Sequence, residues 1–139
     1  MRHLCRNFLL LCWLMPGVSF AHSGQVEQVR QFVAAFNSHD SAQMARYVTA
    51  DVQWLSVNGD VIAVQTSGKN ALTEAMDGYF ESCPSCRSEL LEISEVGTHV
   101  STIEQASWLQ NDVRRTQKSL AVYEFSGDLI QRVYYFPAD

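Results

Sequence analysis

Residues 52–66 read VQWLSVNGDVIAVQT, and this stretch determines how the rest of the chain is interpreted. Two β-rich runs, residues 52–57 and 61–66, flank Asn58-Gly59. Both turn residues tolerate the positive φ angle of a type I′ turn, which joins two strands in a tight hairpin. The stretch therefore predicts an antiparallel β-hairpin.

Segments with helical patterns flank this hairpin on both sides. Apolar residues recur at helical spacing over residues 25–36, which predicts a first helix with one buried face. Asp40 and Gln43 form a capping-box pattern, which predicts a short second helix that ends near Tyr47. Residues 69–81 predict a third helix, and a following proline brings it to an end.

The C-terminal part of the chain predicts strands only. Four long strand patterns lie at residues 88–96, 100–109, 115–125 and 129–136, and turn residues separate them. Successive strands joined by short turns form an antiparallel meander. Helices interleaved with a hairpin and followed by a meander are typical of an α+β domain, in which the helices pack on one face of a curved sheet.

Four segments also resemble one known group of proteins. They are residues 36–40 (FNSHD), 47–52 (YVTADV), 67–72 (SGKNAL) and 122–130 (VYEFSGDLI). In order and spacing they resemble the nuclear-transport-factor-2-like superfamily, which includes SnoaL-like polyketide cyclases and ketosteroid isomerases. The resemblance implies a cone-shaped fold, with a strongly curved antiparallel sheet wrapped around about three N-terminal helices and a pocket at the open end.

The resemblance does not carry a catalytic residue over to this chain. Ketosteroid isomerases use a carboxylate base to move a proton next to a carbonyl group. Aligning Ala50-Asp51 with that pattern places Ser56 where the base should be, and a serine cannot take that role unaided. The acid and base of the polyketide cyclases have no clear counterpart either.

Alternation along the strands supplies a different candidate. Successive side chains of a strand point to opposite faces, so Trp54 shares a face with Ser56, and Glu104 shares one with Trp108. Glu104 lies between apolar neighbours, and a pocket position would suit it to act as the acid or base of a proton transfer. Alternatively, it lies on a solvated or dimer-facing side, or pairs with a nearby arginine.

Aromatic residues are the main candidates for lining a pocket. We predict Tyr47, Trp54 and Trp108 at its mouth, with Ser56 beside them, because aromatic side chains bury a large apolar area while some keep a polar tip. Such a pocket suits a small organic molecule. His39 is predicted to serve the turn after the first helix rather than catalysis, and no sequence pattern indicates a metal site or a cofactor.

Two cysteines, Cys83 and Cys86, lie beyond residue 21. In an oxidising compartment they are predicted to form a structural disulfide. The C-x-x-C spacing is also found in thiol oxidoreductases, where the first thiolate lies at a helix N-terminus. Here the pair follows a helical pattern, which favours the structural role, and two cysteines fall short of the four ligands of a structural zinc site.

The N-terminus has the organisation of a secretory signal peptide. Two arginines precede an apolar run, and Ser19 and Ala21 supply the small residues that signal peptidase needs. We therefore predict a signal peptide at residues 1–21, a single exported domain at residues 22–139, and a periplasmic or secreted location. The apolar run is too short to span a membrane, so no membrane association is expected after cleavage.

The net charge of −5 at pH 7 argues against nucleic acid as a partner, because phosphate binding requires clustered Lys and Arg. We predict an exported domain that binds a small organic molecule in a mostly apolar pocket. If it is an enzyme, we expect a cofactor-free isomerase or cyclase that acts by proton transfer. Two other functions stay open: a non-catalytic homodimeric interaction or scaffold module, and a thiol-redox protein that uses Cys83 and Cys86.

Overall fold

The computed structural model describes residues 24–137. The helices are α1 (Gly24–Asn37), α2 (Ser41–Met44), which continues as a 3-10 turn over Ala45–Tyr47, and α3 (Lys69–Ser82). The strands are β1 (Val48–Asn58), β2 (Val61–Ser67), β3 (Arg87–Val96), β4 (His99–Gln110), β5 (Val113–Ser126) and β6 (Leu129–Phe136). The predicted order of helices and strands is confirmed, whereas the predicted signal peptide lies outside the described residues.

The strands form one open, curved sheet in the order β2-β1-β6-β5-β4-β3. Neighbouring strands run antiparallel except β1 and β6, which run parallel and pair Trp54 with Val133. The predicted α+β class and curved sheet are confirmed, and the sheet is mixed at this one pair. The reason is that α3 separates the N-terminal hairpin from the C-terminal meander, and these two units join along strands that are far apart in the sequence.

Bulges interrupt the register of the sheet and bend it. The extra residues are Gln65 in β2, Leu91 in β3 and Gln131 in β6. An extra residue in one strand increases the local twist and turns that strand. The sheet curves around α1 and α3 as a result, and its inner face encloses the core.

The hairpin predicted from residues 52–66 is present, but its turn lies one residue later than predicted. Asn58 is the last residue of β1, so the turn consists of Gly59 and Asp60. Only the glycine has a positive φ, of 61°. Positive φ angles at both positions of a two-residue turn, as type I′ requires, occur instead at Asn111-Asp112 between β4 and β5.

His39 ends α1 in the way predicted for a turn residue. Its φ is 54°, and its N–H donates to the carbonyl of Phe36 at 2.9 Å, while the N–H of Asp40 donates to the carbonyl of Ala35 at 3.0 Å. This pair of bonds is a Schellman motif. The His39 ring also stacks on Phe80, with centroids 4.4 Å apart, which connects the end of α1 to α3.

The core lies between the helices and the inner face of the sheet. Phe32 of α1 and Leu72 of α3, both predicted to face inward, are buried in one cluster with Ile130 and Val133 of β6. Full burial of a side chain of this size stabilises a protein by about 1.5–3 kcal/mol. The strand at the centre of the sheet therefore also supplies the centre of the core.

Candidate functional site

A cavity of about 290 Å³ lies between α1, α3 and the inner face of the sheet. Six aromatic rings line much of its wall: Phe32, Phe36, Trp54, Tyr79, Tyr123 and Tyr135. Three further polar residues on the sheet line it: Ser88 of β3, Glu104 of β4 and Ser119 of β5. None of the lysines, arginines or histidines in residues 24–137 lines this cavity. A concave, mostly apolar site with few polar groups is typical of small-molecule binding.

The carboxylate of Glu104 is buried at the polar side of the cavity, and the residue is 8% exposed. Its Oε1 atom accepts hydrogen bonds from the hydroxyl groups of Tyr123 (2.6 Å) and Thr102 (2.9 Å), and its Oε2 atom accepts one from Ser88 (3.1 Å). Among the described residues, no ion pair includes Glu104. Three hydroxyl donors therefore replace the water that the carboxylate loses on burial. Glu104 occupies neither of the alternative positions that the sequence allowed.

Strand alternation brings these groups to one face of the sheet. Thr102 and Glu104 point inward from β4, as Ser119 and Tyr123 do from β5. The register pairs Glu104 directly with Ser119. Tyr123 lies opposite Val100, and its long side chain spans the distance to Glu104.

Ser119 is a residue of this site that the sequence analysis missed. It is 6% exposed, and its Oγ atom has no hydrogen-bond partner in the part of the chain that the structure describes. A buried hydroxyl group without a partner costs about 1–3 kcal/mol. The sequence does contain a signal for it, because counting outward from the two-residue turn at Asn111-Asp112 places Ser119 opposite Glu104.

The phenol of Tyr123 is strongly perturbed by its surroundings. Burial raises its pKa well above 10.0, and the charge of Glu104 and the hydrogen bond to it raise the pKa further. Burial disfavours the phenolate, and a neighbouring carboxylate repels it. In the folded protein, the Tyr123 hydroxyl therefore stays a donor to Glu104 into alkaline solution.

This pKa shift predicts that stability falls at alkaline pH. In the unfolded chain Tyr123 ionises around its ordinary pKa of 10.0, whereas the folded protein keeps it neutral. The stabilisation is fully present below about pH 10 and is lost as the pH rises through the pKa of the folded protein. We expect Tyr123→Phe, which cannot ionise, to show a shallower fall in the free energy of unfolding in urea between neutral and strongly alkaline pH. Parallel pH curves for the two proteins would contradict this expectation.

Of the aromatic residues predicted at the pocket mouth, Trp54 lines the cavity, and its ring lies 6.1 Å from that of Tyr135 between centroids. Tyr47 is not among the lining residues. Its hydroxyl accepts a hydrogen bond from Gln43 Nε2 at 3.0 Å, and it packs against the core. The Asp40 carboxylate accepts from the Gln43 N–H, which is one half of the predicted capping box. The Gln43 side chain donates to Tyr47.

Ser56 and Trp108 are also not among the lining residues. Ser56 has the same inward register as Trp54, since it pairs with Tyr135 of β6, but it lies two residues further along β1. Trp108 is half-buried and lies beyond Ala106, the last residue of β4 that lines the cavity. Alternation thus gives the correct face for both residues, while the length of the cavity decides which positions reach it.

Cys83 and Cys86 form a disulfide, with Cα atoms 5.4 Å apart, in the loop between α3 and β3. Ser88 follows the disulfide by two residues. Both its N–H and its carbonyl are hydrogen-bonded to the side-chain amide of Asn37, each at 2.8 Å. These contacts fix the start of β3 against the end of α1. They also position the Ser88 hydroxyl that donates to Glu104.

Metal-ligating clusters and membrane-spanning helices can be assessed over residues 24–137. In this range no three His, Cys, Asp or Glu side chains lie close enough together to hold a metal ion. No helix in the same range is long and apolar enough to cross a membrane. The residues that line the cavity supply polar groups that include the carboxylate of Glu104 and the hydroxyl groups of Ser88, Ser119 and Tyr123.

The sequence matches the family model of the SnoaL-like domain over residues 29–133. This range includes every residue that lines the cavity except Tyr135. No curated protein is significantly similar to the chain in sequence.

Several solved structures share the fold. An uncharacterized cystatin fold protein from Novosphingobium aromaticivorans is 23% identical, with a TM-score of 0.70 over 80% of this chain and 96% of that one. An NTF2-like protein of unknown function from Burkholderia pseudomallei is 17% identical, with a TM-score of 0.70 over 84% and 92%. A hypothetical protein with a ketosteroid isomerase-like fold from Catenulispora acidiphila, in complex with trimethylamine, is 10% identical, with a TM-score of 0.67 over 81% and 85%. At these identities the likeness shows the fold alone.

Proposed function

We propose, since this chain belongs to the SnoaL-like domain family, that it binds a small organic molecule in the cavity beside Glu104. We propose further that it is exported after removal of residues 1–21, and that it acts as an isomerase or cyclase by proton transfer without a cofactor. The observation that carries the proposal is a buried carboxylate, held by three hydroxyl groups, at the side of an otherwise apolar cavity.

The hydrogen bonds of Glu104 leave room for a ligand. An ionised carboxylate offers about four lone-pair positions. Oε1 uses two of them for Tyr123 and Thr102, and Oε2 uses one for Ser88. The remaining position is on Oε2, which is therefore the oxygen that supports proton transfer to and from a bound molecule.

The proposed reaction follows from this geometry. A carbon–hydrogen bond of the ligand breaks, the proton goes to Glu104 Oε2, and the electron pair stays on the ligand. Glu104 then returns the proton to another atom of the same molecule, so no external oxidant or reductant is needed. The aromatic wall holds the apolar body of the ligand beside the carboxylate.

Native mass spectrometry of the protein purified from its own host tests this proposal. We expect a non-covalent organic adduct on the wild type and its loss in Ala106→Phe, because the added ring occupies the cavity beside Glu104. The matched control is Gln105→Phe, the neighbouring position on the other face of β4, which should keep the adduct. A wild type that never carries a small molecule, or an adduct that survives Ala106→Phe in a folded protein, would contradict the proposal. The homodimeric interaction module and the thiol-redox protein stay predictions of the sequence.

A further inference from the structure

We infer that Ser119 is a ligand-binding residue, and that with Glu104 it selects a molecule with a hydrogen-bond donor beside a hydrogen-bond acceptor. This inference rests on the proposed function, namely that the cavity binds a small organic molecule. It adds the chemical class of the ligand: an apolar, ring-sized body that carries a group such as an amide, with N–H and C=O next to each other.

The first argument is the state of the Ser119 hydroxyl. Its Oγ atom is buried, lies in a residue that lines the cavity, and has no partner within the described residues. Buried polar groups in folded proteins are nearly always hydrogen-bonded. A hydroxyl group that lacks a protein partner, in a residue that lines a cavity, is therefore expected to find its partner in what fills that cavity.

The second argument is the complementary chemistry of Ser119 and Glu104. The two residues face each other directly across β4 and β5, and side chains that are directly opposite in a sheet have Cβ atoms about 4.5–5.5 Å apart. Glu104 acts as an acceptor in all three of its hydrogen bonds, whereas a serine hydroxyl can donate. A ligand that satisfies both must offer a donor to Glu104 and, close to it, an acceptor to Ser119, as the N–H and C=O of a primary amide do.

Three ring-sized probes separate these contributions in ligand-observed NMR titrations. Benzamide offers a donor and an acceptor, methyl benzoate offers acceptors only, and toluene offers neither. We expect the wild type to bind benzamide most tightly. We expect Ser119→Ala to lower the affinity for benzamide and for methyl benzoate by about fivefold each, the value of one hydrogen bond, and to leave the affinity for toluene unchanged. Ser101→Ala, which removes a serine from the outer face of β4, should bind all three probes as the wild type does.

A stability measurement separates ligand binding from a structural role. Removing a buried hydroxyl that has no partner is expected to leave the urea midpoint of the ligand-free protein unchanged or raise it. A lower midpoint for Ser119→Ala would show that the hydroxyl is structural and would overturn the inference. An equal loss of toluene affinity, or unchanged affinity for all three probes, would overturn it while the proposed function stands. If none of the probes binds the wild type, the proposed function fails, and the inference fails with it.

Discussion

Glu104→Gln is expected to slow the proposed proton transfer by roughly 10²–10⁴-fold, the contribution that a positioned acid or base makes. Glutamine keeps the size of the side chain, and its carbonyl oxygen can still accept from Tyr123 and Thr102. Its amide N–H can donate to the hydroxyl oxygen of Ser88, whose O–H donates to Glu104 in the wild type. The variant loses the capacity to take up a proton, so the loss of activity should occur in a folded protein.

Deuterium exchange measures this effect directly. The wild type, incubated in D2O with the molecule that it retains from its host, should exchange ligand hydrogen for deuterium, which mass spectrometry detects. The matched control is Glu89→Gln, the same substitution at an exposed carboxylate of β3, and it should exchange at the wild-type rate. Wild-type exchange in folded Glu104→Gln would remove Glu104 from the reaction.

Phe32→Ala is expected to cost about 3–5 kcal/mol of the free energy of unfolding, the usual loss for a buried phenylalanine. Phe32 is 2% exposed, and its ring meets that of Tyr123 in an edge-to-face arrangement, with centroids 6.1 Å apart. The substitution removes this contact and joins new empty space to the existing cavity. Neighbouring side chains cannot refill that space, because Phe32 itself forms part of the cavity wall on the α1 side.

Urea unfolding followed by circular dichroism measures this loss. Gln31→Ala is the control, since Gln31 is exposed on the same helix. We expect the control to change the free energy of unfolding by no more than about 0.5 kcal/mol. A loss below about 1 kcal/mol for Phe32→Ala would mean that the core tolerates a larger cavity than this packing implies.

Local rules account for what the sequence predicted correctly about the fold. Helical spacing in α1 and the long strand patterns of β3 to β6 depend on residues close together in the chain, so the elements follow from the sequence. The parallel pairing of Trp54 with Val133 depends on two segments that approach only after folding. No local pattern encodes the direction of that pair, so the mixed sheet could not be predicted from the chain alone.

The same distinction between local patterns and contacts formed only on folding applies to the predictions about the site. Alternation grouped Glu104 with Trp108 on one face of β4 but did not decide whether that face points inward. Trp54 was predicted at the pocket, and both Trp54 and Glu104 line the cavity.

The position of Ser119 opposite Glu104 could have been predicted from the sequence, because β4 and β5 pair without a bulge on both sides of their turn. The contact between Tyr123 and Glu104 could not be predicted from the sequence. Tyr123 lies opposite Val100, and only its long side chain brings its hydroxyl to the carboxylate.

The central place of β6 has a consequence for the time at which the protein can fold. β6 is the last of the strands in residues 24–137 to be synthesised, yet it lies between β1 and β5. Pairing it with β1 gives the domain a high contact order, and the entropy of closing so long a loop opposes folding before any new contact forms. We therefore expect the helices and the first hairpin to leave the ribosome without a stable partner. The chain then stays unfolded until β6 has been made.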